Sequence, residues 1–153
     1  MPGFVSAIDV LPDGRTAIVK TAPTPNVDDS YTATRVNVID LATGRVRAVV
    51  ETPGKLGDVE ISPDGRQLSM IAGIDINDPA DNTLHLVDVA TGRYRVLNPG
   101  AAEATMDAEW LDDGRLAAVV HVGAQSRLRI YNADGTVAQE IDPGELILTE
   151  VHA

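Results

Sequence analysis

The sequence predicts an all-β protein built from three consecutive four-stranded antiparallel units. A turn signal recurs at intervals of about 50 residues, at Pro12–Arg15, Pro63–Arg66 and Asp112–Arg115. Short apolar segments rich in β-branched residues flank each turn. Apolar residues at helical spacing are nearly absent. A fixed period with four strands per unit is typical of a β-propeller blade, so the predicted fold is a partial propeller of three blades.

The residues of the repeated turn each have a geometric role. Proline presets φ for the first corner, aspartate accepts a hydrogen bond from the backbone two residues on, and glycine takes the positive φ that closes a tight hairpin. A second hairpin turn occurs at Asp40–Arg45 and again at Asp88–Arg93. In the third unit Asp112 replaces the proline, and Asn132–Gly135 replaces the second turn. Both replacements still suit turns.

The expected strands follow from these turns. They cover 5–11, 16–20, 35–39 and 46–51 in blade 1, 57–62, 67–72, 83–87 and 94–97 in blade 2, and 106–111, 116–122, 127–131 and 136–141 in blade 3. We expect one domain over 1–153, with blades at about 4–52, 53–99 and 100–145. Residues 146–153 are predicted to be the first strand of a further copy. The Pro-, Asn- and Asp-rich segment 21–34 is predicted to hold neither strand nor helix interior.

Alternation along the third strand of each unit indicates how the blades pack. Val36 and Val38 correspond to Leu84 and Leu86, and then to Leu128 and Ile130. The opposite face carries Asn37, His85 and Arg129, followed by Ile39, Val87 and Tyr131. Because both faces hold apolar residues, each sheet is expected to lie between two neighbours.

Composition excludes several classes of function. The 12 basic and 23 acidic residues give a net charge of −11, which repels phosphate backbones and anionic lipid head groups, so we expect neither nucleic acid nor membrane as a partner. The absence of cysteine excludes disulfides and thiolate chemistry. Met1–Val5 lacks the features of a signal peptide. We therefore predict a soluble cytoplasmic protein, or a periplasmic one if the natural N-terminus lies upstream.

The segments ISPDGRQLSMIAG and NTLHLVDVATGRYRVL resemble the repeat of TolB-like propellers. The same repeat builds the N-terminal propeller of prolyl-oligopeptidase-class serine peptidases, including dipeptidyl and acylaminoacyl peptidases. The resemblance covers nearly the whole chain and implies a non-catalytic module that screens substrate for a hydrolase domain. A free-standing TolB-like scaffold for protein–protein interaction is the alternative.

Catalytic machinery is not evident in the sequence. The nucleophile of the resembled peptidases lies in a Gly-x-Ser-x-Gly elbow on a separate domain. The chain has five serines: Ser6, Ser30, Ser62, Ser69 and Ser126. None of them has glycine at both the second position before it and the second position after it. We therefore predict that the chain is not an enzyme by itself, with no catalytic residues and no cofactor.

Two groups of residues are candidates for metal binding. Asp75, Asn77, Asp78 and Asp81 form an oxygen-rich loop that suits Ca²⁺, but Ala80 and Leu86 occupy the positions where an EF-hand needs Gly and Glu. A solvated loop is the favoured interpretation. His85, His121 and His152 are far apart in the sequence, so structural roles are expected rather than a zinc site.

We also expect structural roles for Trp110 and for the arginines of the repeated turn. Trp110 ends a first strand and is expected to pack at a blade junction. Arg15, Arg66 and Arg115 recur at one turn position and are expected to pair with acidic neighbours. A ring of arginines that grips an anion is the alternative.

Three blades leave two open flanks, whereas closed propellers use about four to eight blades. A homodimer would close a ring of six blades, with 146–153 adding a strand to a sheet of the partner. The competing interpretation is that further blades lie on sequence outside this chain. A peptide or protein ligand fits either interpretation.

Overall fold

The computed structural model describes residues 3–52, 54–77, 82–97 and 102–153. These residues form three four-stranded antiparallel sheets, each with its strands in chain order, which confirms the predicted three-bladed partial propeller. Blade 1 contains β1 (Phe4–Val10), β2 (Thr16–Ala22), β3 (Arg35–Asp40) and β4 (Val46–Val50). Blade 2 contains β5 (Leu56–Ile61), β6 (Gln67–Ala72), β7 (Thr83–Asp88) and β8 (Tyr94–Val96). Blade 3 contains β9 (Glu103–Trp110), β10 (Leu116–Val122), β11 (Gln125–Tyr131) and β12 (Val137–Ile141).

The repeated turn has the predicted chemistry in all three blades. In blade 2, Asp64 Oδ1 accepts from the Arg66 amide at 3.0 Å, and the Gly65 amide donates to the Ser62 carbonyl at 2.8 Å. The equivalent aspartates in the other two blades accept from the arginine amide at 2.7 and 3.1 Å. The turn therefore fixes where each second strand begins, independently of the packing around it.

The third copy of the turn closes one residue earlier than the other two. The Leu11 amide donates to the Thr16 carbonyl in blade 1, whereas the Leu111 amide donates to the Arg115 carbonyl in blade 3. A slip of one residue moves every following side chain to the opposite face of the sheet. Leu116 thereby takes the core position that Leu68 holds in blade 2. Leu116 pairs with Trp110 on β9, just as Leu68 pairs with Ile61 on β5.

The segment between β2 and β3 differs from the prediction. A short helix, α1 (Val27–Thr32), lies where we expected no helix interior, and β2 extends to Ala22. Asp28 and Asp29 lie in the first turn of α1, where a carboxylate interacts favourably with the helix dipole. Thr24 Oγ1 also donates to Asp29 Oδ2 at 2.5 Å, which holds the chain leading into the helix. The aspartates that suggested a loop therefore stabilise one turn of helix.

The core consists of two apolar layers, one at each junction between blades. We call the face of a blade that points toward the next blade in sequence its forward face, and the opposite one its backward face. Between blades 1 and 2, the forward residues Ile18, Val36, Val38 and Val50 pack on the backward residues Leu68, Met70 and Val87. Between blades 2 and 3, the forward residues Ile71, Leu84 and Leu86 pack on Ala108, Trp110, Leu116, Ala118, Val120 and Tyr131. Blade 2 is thus covered on both faces, as the alternation predicted.

The second hairpin turn allows a stability test with a matched control. Gly44 and Gly92 occupy the same turn position with φ of 68° and 69°. A Cβ at Gly44 would meet nothing within 4 Å, whereas one at Gly92 would lie 2.7 Å from the Val49 carbonyl oxygen of blade 1. We expect Gly44→Ala to cost about 1 kcal/mol of unfolding free energy from backbone strain alone. Gly92→Ala should cost roughly a further 1–2 kcal/mol because blades 1 and 2 must separate.

Urea unfolding of the two variants and the wild type would measure both values. Equal losses at the two positions would show that the close approach between Gly92 and Val49 does not constrain the junction.

Candidate functional site: axial carboxylates and open flanks

The first strands of the three blades bring carboxylates together. Asp9 on β1, Glu60 on β5 and Glu109 on β9 occupy the same position, three residues before the first residue of the repeated turn. Their cross-strand partners are Ile18, Ser69 and Ala117. These partners alternate along the second strands with residues of the backward faces, so the three carboxylates lie on forward faces. The sequence-based prediction of functional residues did not include them, although one acidic residue at the same place in every copy is a visible signal.

The charges of these side chains act on Glu60. Partial burial raises the pKa of Glu60, and the negative charges of Asp58, Glu109 and Asp9 raise it further. These neighbours come from all three blades. Lys20 opposes them, and its Nζ donates to the Gly57 carbonyl at 3.2 Å. The first strands therefore line a shared acidic surface, which we call the axial carboxylates (Asp9, Asp58, Glu60 and Glu109).

Chemically, the axial carboxylates favour a cationic ligand. Like charges at close range disfavour ionisation, so a positive group placed among them would relieve repulsion. Among the described residues, no group of three or more acidic or histidine side chains is arranged to hold a metal ion.

A second charged cluster lies in blade 3 and is structural. Arg129 is 8% exposed, and its guanidinium contacts Glu103 at 2.9 and 3.1 Å and Glu140 at 2.6 Å. It also donates to the Tyr131 hydroxyl at 3.3 Å. The Arg129 hydrogen bond holds the pKa of Glu103 below its ordinary value. This cluster ties β11 to the first and last strands of its blade.

The predicted calcium loop is only partly described. Asp75 Oδ1 accepts from the Asn77 amide at 2.7 Å, a local turn bond of the kind that aspartate makes in ordinary loops. Asp78 and Asp81 lie outside the described residues. The hypothesis of a Ca²⁺ site there stays a prediction.

The histidines and Trp110 occupy the following environments. His85 is fully buried, its Nδ1 lies 2.9 Å from the Thr83 carbonyl, and its ring meets Tyr94 edge-on at 5.1 Å. Burial lowers the pKa of His85, which favours the neutral form of its ring. His121 contacts the Leu148 carbonyl at 2.7 Å, and His152 is exposed near Glu109. Trp110 is 7% exposed within the junction of blades 2 and 3, as expected.

The turn arginines pair locally. Arg115 bonds Asp113 at 2.7 Å, and Arg66 lies 3.8 Å from Asp64, so each neutralises the aspartate of its own turn. In both cases the pairing is with an acidic neighbour, as predicted.

The hydroxyls of Ser62 and Ser126 have partners within the fold. Ser126 and His121 lie opposite each other in the β10–β11 ladder, yet the hydroxyl of Ser126 donates to the Leu146 carbonyl and the His121 ring contacts Leu148. Ser62 donates to Asp64 within the repeated turn. Each of these side chains therefore has a structural partner rather than an activating base.

The two outer flanks of the three-bladed array differ. On blade 1 the backward face leaves apolar side chains in solvent: Ile8 is 61% and Val10 53% exposed, and Val46 and Val49 are 40% and 41% exposed. On blade 3 the forward face is covered by residues 146–152, which make no strand pairing in the structure. In this structure the segment predicted to be the first strand of a further copy lies against blade 3, and its assignment to a further blade stays a prediction.

Comparisons with known proteins support the fold. No family model and no curated protein matches the chain. The solved structures it resembles include the β-propeller domain of the Trilobed protease from Pyrococcus furiosus, with a TM-score of 0.61, 15% identity and coverage of 92% of this chain and 43% of that one. They also include the tricorn protease, with a TM-score of 0.65, 15% identity and coverage of 90% and 13%. A Synechocystis apocarotenoid oxygenase variant aligns with a TM-score of 0.64, 14% identity and coverage of 95% and 38%.

These likenesses establish a β-propeller fold shared with peptidase propellers and with an oxygenase. The chain spans less than half the length of each of these structures. No family or sequence match supports the TolB-like repeat in particular. No helix among the described residues is long and apolar enough to cross a membrane.

Glu60→Gln tests the cost of ionising Glu60, to which burial contributes most and the axial carboxylates contribute further. A carboxyl whose pKa is raised by folding binds more protons in the folded chain, so stability increases as the pH falls through that pKa. We expect Glu60→Gln to raise the melting temperature at neutral pH. The gain in unfolding free energy should be at most about 1 kcal/mol, because solvent screens the site. The gain should vanish at a pH where Glu60 is protonated. Glu145→Gln, at an exposed position, is the control; an equal gain there would show a net-charge effect only.

Glu103→Gln should have the opposite sign. Because the pKa of Glu103 is lowered by its bond from Arg129, the stabilisation is fully present above the ordinary value of 4.5 and is lost as the pH falls through the lowered value. We expect a loss of roughly 1–3 kcal/mol at pH 7. The difference from wild type should shrink in thermal melts recorded at a pH low enough to protonate Glu103. A pH-independent loss would mean that shape, not charge, matters at this position.

Proposed function

We propose that this chain is a non-catalytic β-propeller module that screens or docks peptide substrate for a serine peptidase of the prolyl-oligopeptidase class. The observation that carries the proposal is the likeness of nearly the whole chain to peptidase propellers. The local partners of Ser62, Ser126 and His121 favour a structural rather than a catalytic role for these residues. In this proposal the hydrolytic machinery belongs to another domain or subunit.

The axial carboxylates supply a means of recognition. A peptide that enters along the first strands would meet Asp9, Asp58, Glu60 and Glu109, so basic segments would be admitted in preference to acidic ones. Charge of this kind changes association rates and selectivity more than affinity, which is what a screening element needs. A free-standing interaction scaffold would use the same surface and would lack an associated hydrolase.

We also propose that a second copy closes the ring. The apolar backward face of blade 1 carries Ile8, Val10, Val46 and Val49 in solvent, and a propeller junction would cover them. Two copies would give six blades, within the range of about four to eight that closed propellers use. Blade 1 of each copy would then pack against blade 3 of the other.

The peptidase association is tested with an affinity-tagged chain recovered from cells that naturally express it. The eluate is treated with a fluorescent fluorophosphonate, which labels active serine hydrolases. We expect one labelled species of separate mass in fixed ratio to the chain, and no label on the chain itself. A heat-inactivated eluate is the control.

A label on this chain would overturn the non-catalytic assignment. An eluate with protein partners but no labelled hydrolase would favour the free-standing scaffold instead.

A further inference from the structure

Residues 146–152, which we call the C-terminal segment, are held on the forward face of blade 3 by side chains of that blade. Ser126 Oγ donates to the Leu146 carbonyl and accepts from the Leu148 amide, both at 2.9 Å. The His121 Nε2 lies 2.7 Å from the Leu148 carbonyl, and Asp107 Oδ2 accepts from the Val151 amide at 2.7 Å. Each of the strands β9, β10 and β11 thus contributes one side chain that binds the segment.

The segment has distinct inner and outer sides. Leu148 and Val151 are half-buried against the blade, whereas Leu146 and Ile147 are 68% and 58% exposed. Beneath the segment, Val119 is 1% exposed and Ile130 8%. The part of the forward face at Val119 and Ile130 is therefore shielded from water, whereas Ile141 on the same face is 40% exposed.

This position is the one that a following blade occupies elsewhere in the molecule. The forward face of blade 1 receives β5, and Lys20 binds the Gly57 carbonyl there. The linkers into β5 and into the C-terminal segment share a Pro-Gly pair, at 53–54 and 143–144, and at equal spacing Val151 corresponds to Ile61. A blade that docked on blade 3 would bring its own first strand to the place where the C-terminal segment lies.

We propose that the C-terminal segment is an intramolecular cap that competes with blade 1 of a second copy for the forward face of blade 3. This inference rests on the proposed ring closure by a second copy. Release of the cap exposes the apolar forward face, and blade 1 of the other copy then covers it with the same forward-to-backward packing that joins blades 1 and 2. Closure of the ring is thereby limited by how often the cap leaves.

Blade 1 of a second copy fits as the occupant because of its backward face. Ile8 and Val10 correspond in the repeat to Val59 and Ile61, which pack against blade 1 in the existing junction. At the blade 1 flank these equivalent positions are more than half exposed. The face thus has the composition of a junction but no neighbour among the described residues.

The test compares two paired substitutions in the full chain. Leu148→Asp with Val151→Asp places charges on the inner side of the segment and should release it, while leaving the docking face unchanged. Leu146→Asp with Ile147→Asp adds the same charge to the outer side and serves as the matched control. Sedimentation equilibrium over a range of concentrations measures the dimer dissociation constant of each 16.2 kDa chain.

We expect the inner pair to lower the dimer dissociation constant by at least about tenfold relative to both wild type and the outer pair. Ile8→Asp added to the inner pair should restore the monomer. Equal dimerisation of all chains would leave the homodimer standing and overturn the cap. Monomers throughout would overturn both proposals.

Hydrogen exchange gives a second readout that does not depend on the folding of the variants. In the wild-type monomer the amides of Leu148 and Val151 should exchange slowly, because each donates to a side chain of blade 3. Exchange should become faster as the dimer fraction rises. Unprotected amides in the monomer would overturn the cap whatever the oligomeric state.

Discussion

Every other feature of this molecule depends on the need to cover both faces of each four-stranded sheet. A sheet with apolar residues on both faces exposes too much hydrocarbon to be stable alone, so it needs a neighbour on each side. Blade 2 meets this condition, with one apolar layer toward blade 1 and another toward blade 3. The outer blades each have one covered junction and one flank, and the two flanks differ: one is capped by its own chain and the other is open.

The repeated turn makes this packing possible because it sets which residues reach which face. In blades 1 and 2 the turn places Ala17 and Leu68 at equivalent core positions. In blade 3 the turn closes one residue earlier, and Leu116 moves into the position that Leu68 holds. A change in turn geometry has thus compensated for a change in the order of apolar residues, and the sheet keeps its apolar layer. Period and turn chemistry constrain the fold more strongly than residue identity at any single site.

The fold could be predicted from the sequence because its determinants are local. Alternation, Pro-Asp-Gly turns and a fixed period each act within a few residues, so strand bounds differ from the structure only near their ends. The prediction was wrong at α1, where a helix was not expected. Aspartates such as Asp28 and Asp29 occur both in loops and in the first turn of a helix, so the pattern does not distinguish the two. The cap on blade 3 could not be predicted, because Ser126, His121 and Asp107 recognise backbone groups that carry no sequence signature.

The axial carboxylates could be predicted from the sequence only in part. Asp9, Glu60 and Glu109 occupy one repeat position, so the sequence held the signal, but only the packing of the blades brings the charges of all three blades to bear on Glu60. Arg66 and Arg115 lie beside the aspartates of their own turns, whereas the positive charge of Lys20 acts on Glu60. Neutral residues at these positions would remove the cost of ionising Glu60 among neighbouring carboxylates. This cost and the recurrence of a carboxylate at one position in three copies are the observations on which the proposed recognition of a cationic partner rests.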